Sequence, residues 1–215
     1  MATVRALMFD FNGTLSHDEP LLCAIYRELF ARHGRPLTEE QYYSGFAGLT
    51  EEAIVGGWLG IDGPLLGSLI AERIESYAVA AADGSTVTEP LREAVHYAAT
   101  RVPVAIVSGA FRAEILPVVE AAGLSVALTA VVAADDVKHG KPHPAGYLLA
   151  LDRLGVGADA AIAFEDTEVG IASAKTAGLR CLAVRGTLPE SRLMAADEIV
   201  DGIDVALVER LLDGN

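Results

Sequence analysis

The sequence VRALMFDFNGTL at residues 4–15 joins an apolar run to a polar turn. The run at 4–9 predicts a buried β-strand. A carboxylate follows directly at Asp10, and Gly13 lets the backbone turn sharply three residues later. A carboxylate at a strand end suits a nucleophile or a ligand of a hard metal ion. The alternative is an Asx turn that merely ends the strand.

Alternating apolar runs and helical patterns predict a doubly wound parallel α/β sheet. Four further strands are predicted from runs rich in Val, Ile and Ala: 102–107, 130–133, 160–164 and 181–184. Helices are predicted between them at 90–100, 113–122, 143–154 and 169–177. Between Ser16 and Val87 the alternation stops, and four successive helices are predicted: 21–33, 39–44, 51–58 and 65–82. We therefore expect an α/β core at 1–15 and 88–215 with an all-helical insertion at 16–87.

The composition excludes several classes of protein. The chain has 215 residues, of which 52% are hydrophobic and 21% charged, so it can bury a sizeable globular core. A formal net charge of -14 argues against a nucleic-acid partner. Cys23 and Cys181 are isolated, and we find no signal peptide or membrane span. We expect a cytoplasmic monomer or homodimer.

Polar groups follow the other predicted strands at the edge where parallel α/β sheets gather their chemistry. Ser108 and Gly109 follow the second strand and offer a hydroxyl and backbone amides, which suit an anion or an ordinary helix cap. Lys141 is one of three lysines in the chain and lies among turn residues at 139–144, which makes it a candidate functional residue; the alternative is a solvated loop lysine.

Glu165 and Asp166 end the fourth predicted strand. Two adjacent carboxylates at the end of an apolar strand are costly to bring together without a cation. The alternative is a helix N-terminus that Asp166 or Thr167 caps.

Taken in order, these motifs resemble those of the haloacid dehalogenase superfamily over nearly the whole chain. The matching segments are FDFNGTL at 9–15, VSG at 107–109, GKPHP at 140–144, and EDT at 165–167 with Gly170 and Ile171. The helical insertion and the segment HDEPL at 17–21 are similar to the capped branch containing phosphoglycolate phosphatase and β-phosphoglucomutase. The resemblance implies a Rossmann-like core, a helical cap and Mg²⁺-dependent hydrolysis of a small phosphorylated metabolite.

The resemblance also implies roles for individual residues. Asp10 would be the nucleophile that forms an aspartyl-phosphate. The implied Mg²⁺ ligands are three carboxylates and one backbone carbonyl, an all-oxygen set that suits a hard cation: Asp10, Asn12, Glu165 and Asp166. The implied phosphate ligands are Ser108, Gly109 and Lys141. The segment 46–51 resembles the specificity loop of the cap, so Gly48 and Thr50 are expected to contact the substrate.

Asn12 departs from the family's first motif, which usually has an aspartate there as general acid and base. An amide can neither deliver nor accept that proton, and such a loss typically costs roughly 10² to 10⁴ in rate. We therefore expect a weakened phosphatase, with His17, Asp18 and Glu19 as candidate proton donors. The alternatives are a phosphate-binding or regulatory protein without turnover and, less favoured, a phosphomutase. Mutases bring a basic residue near the position of Glu51, which argues against the mutase.

Overall fold

A computed structural model describes residues 3–214. The strands of its sheet are β1 Ala6–Phe9, β2 Val104–Val107, β3 Ala130–Val132, β4 Ala161–Glu165, β5 Arg180–Val184 and β6 Glu198–Val200. They pair in the order β3-β2-β1-β4-β5-β6, and every pair is parallel. The chain thus winds outward in both directions from β1, as a doubly wound sheet does.

Five α-helices lie between β1 and β2: α1 Glu19–Arg32, α2 Glu39–Gly45, α3 Gly57–Leu59, α4 Gly63–Ala80 and α5 Glu89–Ala99. The helices that follow are α6 Arg112–Ala121, α7 Ala145–Leu154, α8 Glu168–Thr176 and α9 Val205–Asp213. A π-helical turn, Glu52–Gly56, precedes α3, and short 3₁₀ turns occur at Ala134–Asp136, Ala158–Ala160 and Glu190–Arg192. Within residues 3–214, none of these helices has the length and apolar character that crossing a bilayer requires.

The sheet is covered on both of its faces. Successive side chains of a strand point to opposite faces, and in β1 Leu7 and Phe9 join one buried cluster while Ala6 and Met8 join the other. Phe9 also stacks on Phe164 of the neighbouring strand, with ring centroids 4.8 Å apart. The carboxyl end of β1 is therefore buried near the centre of the sheet, between β2 and β4.

The predicted fold class, a parallel α/β sheet with an inserted helical cap, is confirmed. Helices α1 to α4 form consecutively after β1, α1 packs on α4, and α4 also packs on α6 of the core. The boundaries given above, 1–15 and 88–215 for the core and 16–87 for the cap, stay a prediction. Met1, Ala2 and Asn215 lie outside the described residues.

The predicted secondary structure differs from the observed one in three places. The segment predicted as a helix at 51–58 is helical, but as a π-helical turn followed by three α-helical residues, where consecutive glycines, Gly56 and Gly57, weaken the α-helix. Helix α9, Val205–Asp213, was not predicted. The pattern also missed β6, because Glu198–Val200 is a three-residue edge strand that begins with a charged residue.

Candidate active site

The candidate site lies at the carboxyl edge of the sheet. Asp10 follows β1, Ser108 follows β2, and Glu165 ends β4, while Lys141 comes from the segment between β3 and α7. Because all strands are parallel, their carboxyl ends share one edge. Side chains separated by up to 155 residues in the sequence, from Asp10 to Glu165, therefore meet there.

The loop after β1 is folded tightly against the carboxylates. The backbone N–H of Asp10 donates to the carbonyl of Phe164 at 2.9 Å, which continues the pairing with β4. Gly13 has φ +73°, and a Cβ there would lie 2.0 Å from Asp166 Oδ2. Glycine is thus required at this position by its backbone conformation and by the approach of Asp166.

Asp10, Glu165 and Asp166 form a buried acidic cluster. Each offers one carboxylate oxygen, and these three atoms lie within 4.8 Å of one another. Within residues 3–214, Glu165 Oε2 and Asp166 Oδ2 are buried without a hydrogen-bond partner. Burial raises the pKa of both Glu165 and Asp166, and repulsion from Asp10 adds to the shift. An all-oxygen cluster with unpartnered buried atoms fits a hard divalent cation such as Mg²⁺.

Gly170 in the first turn of α8 makes room for this cluster. A Cβ at that position would lie 1.8 Å from Glu165 Oε2. Any larger residue would therefore displace the Glu165 carboxylate, which explains the glycine in the fourth motif.

Lys141 supplies positive charge to the cluster. Its Nζ lies 2.5 Å from Asp10 Oδ1 and 2.6 Å from Glu165 Oε1. Burial alone would lower the pKa of Lys141, but attraction to Asp10 and Glu165 outweighs it and holds the pKa above its ordinary value. The Tyr147 hydroxyl donates to the same Glu165 oxygen at 2.5 Å, a contact that sequence reasoning did not find. Lys141 is thus a fixed cation rather than a solvated loop residue.

Ser108 and Gly109 line the same cavity as Asp10. Ser108 Oγ accepts a hydrogen bond from the backbone N–H of Ala110 at 3.0 Å. It does not cap α6, because the N-cap of that helix is Phe111, whose N–H donates to Glu114 at 3.0 Å. The plain helix-cap interpretation of Ser108 therefore does not hold.

The cap segment 46–51 also lines this cavity, which encloses about 290 Å³, and Gly48 and Thr50 are among the lining residues. Gly48 has φ +85°, and a Cβ there would come 3.2 Å from Thr167 Cβ. A Cβ at Gly140 would come 3.7 Å from Thr50 Cγ2. The two predicted cap contacts thus face the core loops that carry the acidic cluster and Lys141.

Asn12 faces a buried carboxylate. Its Nδ2 donates to Asp18 Oδ2 at 2.9 Å, and the backbone N–H of Gly13 donates to Asp18 Oδ1 at 3.2 Å. The Tyr77 hydroxyl also donates to Asp18 Oδ2. Burial raises the pKa of Asp18 to about 6, although hydrogen bonds from these groups and from Ser16 oppose the shift. Asn12 therefore donates a hydrogen bond to Asp18, which is one of the three residues that the sequence suggested as proton donors.

The other two candidate proton donors differ in position. His17 is exposed. Glu19 lines the cavity, and its Oε2 accepts from the Tyr42 hydroxyl at 2.9 Å. Burial raises the pKa of Glu19 to about 7, with Tyr42 opposing the shift and the charges of Asp18 and Asp10 adding to it.

A family model for haloacid dehalogenase-like hydrolases matches residues 4–178. The chain belongs to this family. It is 29% identical over 197 residues to validoxylamine A 7'-phosphate phosphatase of Streptomyces hygroscopicus subsp. limoneus, covering 91% of this chain and 92% of that protein. It is 28% identical over 187 residues to phosphoglycolate phosphatase of Pectobacterium atrosepticum, covering 84% and 80%.

The fold is also similar to that of CbbY from Rhodobacter sphaeroides, solved in complex with xylulose-(1,5)-bisphosphate. That structure has a TM-score of 0.83 and 25% identity, and the match covers 93% of this chain and 94% of the other. The resemblance drawn from the four motifs is confirmed.

Proposed function

We propose that this protein is a Mg²⁺-dependent phosphatase that hydrolyses a small phosphomonoester through a phosphorylated Asp10. The observation that carries the proposal is the contact of Asp10 with Lys141 beside the acidic cluster. The two curated relatives named above are phosphatases, which supports the same reaction class. Asp10, Glu165, Asp166 and the backbone carbonyl of Asn12 would hold the ion.

In the first step a carboxylate oxygen of Asp10 attacks phosphorus. The new Oδ–P bond forms as the ester P–O bond breaks, and the departing alkoxide takes up a proton from a water molecule. Lys141, Ser108 and the Gly109 amide hold the phosphate oxygens, where their charge and donors stabilise the transition state. When bound, Mg²⁺ supplies positive charge that screens the repulsion between the carboxylate and the phosphate dianion.

In the second step water attacks the phosphorus of the aspartyl-phosphate. The Oδ–P bond breaks, orthophosphate leaves, and the Asp10 carboxylate is regenerated. Gly48 and Thr50 of the cap contact the organic part of the substrate and keep bulk water from the site. Asn12 supplies no proton in either step, so turnover of unactivated esters is slower than with an aspartate at this position.

A phosphate-binding or regulatory protein without turnover is the second candidate, and Asn12 is the observation that favours it. Phosphomutase activity is less favoured, because Glu51 faces the cavity where a mutase would need a basic group. Release of phosphate from a panel of phosphorylated metabolites in Mg²⁺ separates the phosphatase from the binding protein.

Removal of the metal is expected to stop phosphate release, and Asp166→Asn is expected to weaken Mg²⁺ binding. Replacing a carboxylate ligand by a neutral amide removes one negative charge from the site. This should lower the affinity for Mg²⁺ at least as much as the roughly 10-fold loss typical of a change in an outer-shell partner of the metal. Calorimetry with Mg²⁺ alone measures this affinity without turnover. Mg²⁺ should also raise the melting temperature of the parent protein, because the ion binds the native state.

The control is Asp213→Asn, which removes an exposed carboxylate at the end of α9, paired with Arg101. It should leave Mg²⁺ binding unchanged. Full activity in excess chelator, or parental Mg²⁺ affinity in Asp166→Asn, would contradict the metal site.

Lys141→Ala is expected to lower kcat/KM by roughly 10²-fold or more, as loss of a transition-state donor does. Lys175→Ala is the matched control, because Lys175 pairs with Asp197 at the surface at 2.6 Å and should be dispensable. Kinetics and circular-dichroism melts of both variants check the prediction. A folded Lys141→Ala protein with parental kcat/KM would show that Lys141 only neutralises Asp10 and Glu165.

A further inference from the structure

Arg73 on α4 reaches the wall of the cavity and is held there by two glutamates. Its Nη1 and Nη2 bond both carboxylate oxygens of Glu114 on α6, the second at 3.1 Å. Its Nε and Nη2 bond Glu51 at 3.0 Å and 2.5 Å. The Tyr26 hydroxyl donates a further hydrogen bond to Glu51 at 2.5 Å. Two carboxyl groups of the wall thus face one guanidinium.

This arginine is not available to a ligand anion. Arg73 is 2% exposed, Glu114 is 1% exposed, and the Glu51 side chain is 11% exposed. If Arg73 turned toward a ligand, both carboxylates would stay buried without their partner, which is strongly unfavourable. Glu114 cannot turn away with it, because its Oε2 also accepts the N–H of Phe111 at the start of α6.

The remaining wall adds acceptors rather than cations. Glu19 lines the same cavity and uses only its Oε2 to accept from Tyr42. Lys138 and His139 also line the cavity but are exposed, where water and salt screen their charge. The wall therefore complements hydroxyl and ammonium donors and repels a second phosphate or a carboxylate.

We propose that Glu51 and Glu114, by holding Arg73, select phosphomonoesters whose remaining part is polyhydroxylated and carries no negative charge, with or without an amine. This inference rests on the proposed function, which places the phosphate group at Asp10 and Lys141. The inferred preference distinguishes this protein from phosphatases that act on bisphosphates or on phosphorylated acids, although such enzymes catalyse the same class of reaction.

Glucitol 6-phosphate and 6-phosphogluconate provide the first test, because they differ only in a terminal hydroxymethyl or carboxylate group. Calorimetry on the Asp10→Asn protein in Mg²⁺ measures their binding without turnover. We expect 6-phosphogluconate to bind at least 10-fold more weakly, and glucosamine 6-phosphate to bind at least as tightly as glucose 6-phosphate. Equal or tighter binding of 6-phosphogluconate, or 10-fold weaker binding of the amine, would overturn the proposal.

Inorganic phosphate is the reference ligand. If phosphate binds and none of the sugar esters does, the specificity proposal fails while the proposed function stands. If phosphate itself does not bind, the proposed function fails and this inference fails with it.

Glu51→Gln tests the role of the glutamate directly, since it removes one negative charge and keeps a hydrogen-bonding group beside Tyr26 and Arg73. The preference for glucitol 6-phosphate should fall to about threefold or less. Glu72→Gln is the matched control, because Glu72 precedes Arg73 on α4 but pairs with Arg32 at the surface. Glu51→Gln is made in the Asp10→Asn protein, and an unchanged preference in the folded double variant would overturn the assignment to Glu51. The comparison of ligands on the Asp10→Asn protein stands if the double variant does not fold.

Discussion

Asp10→Asn is expected to abolish phosphate release, with a loss of about 10⁶-fold, the scale on which removal of a nucleophile acts in other hydrolases. Asn is nearly isosteric with Asp, but its amide cannot attack phosphorus to form the acyl phosphate. The change also removes the carboxylate 2.5 Å from Lys141 Nζ, while Glu165 at 2.6 Å still holds the lysine in place. The fold should therefore survive, since the lysine keeps one buried partner.

Two measurements check this prediction. Steady-state phosphate release gives the loss of rate, and acid quenching with a ³²P-labelled ester shows whether label becomes attached to the protein. Parent protein should carry label and Asp10→Asn should not. Asp197→Asn is the control, because it removes an aspartate from the surface pair with Lys175 without touching the site. Residual turnover within 10-fold of the parent would rule out Asp10 as the nucleophile.

The second large effect concerns Asn12 and Asp18 together. By sequence alone, Asn12→Asp restores the missing acid and should raise turnover of alkyl phosphates by up to roughly 10² to 10⁴. In the structure this substitution puts a second carboxylate against Asp18 Oδ2, 2.9 Å from the present Asn12 nitrogen. Two carboxylates at that distance cannot both ionise. The single variant should therefore recover only part of the gain.

Asn12→Asp combined with Asp18→Asn should recover the full gain. The double variant keeps one amide and one carboxylate but exchanges their positions. The amide at position 18 then donates to the carboxylate at position 12. The Tyr77 hydroxyl can rotate to accept from the new amide. Turnover of an alkyl phosphate should rise by up to roughly 10² to 10⁴, and turnover of p-nitrophenyl phosphate should rise less, because its leaving group needs no proton.

Asp18→Asn alone is the control for this exchange and should bring no gain, since residue 12 is still an amide. Kinetics on both substrate classes, with melting temperatures of all three variants, complete the experiment. Equal rates for the parent and the double variant on both substrates would show that another group already delivers the proton. Glu19, which lines the cavity, would then be the first residue to change.

Much of the core and of the candidate site at the carboxyl edge of the sheet could be predicted from sequence, because the information is local. An apolar run such as 4–9 predicts a strand buried on both faces, and the polar residue after it marks the carboxyl end. Parallel pairing brings such ends to one edge whatever the details of packing. The grouping of Asp10, Glu165 and Asp166 follows from those two facts. Lys141 lies well past the end of β3, and its place in the site was predicted only through the family resemblance.

The contacts of the buried charged side chains outside that edge depend on tertiary structure. Asp18 meets Tyr77 across 59 residues, and Arg73 meets Glu114 across 41. Neither pair has a local pattern. Asp18 precedes α1 and Tyr77 lies on α4, while Arg73 and Glu114 lie on α4 and α6, so packing decides the placement of both pairs. Glu51 is the clearest case: the sequence shows an acid in the cap loop, and only the folded chain shows that it is paired with a buried arginine. Local periodicity determines which elements form, whereas the direction and partner of a buried charge depend on how those elements pack.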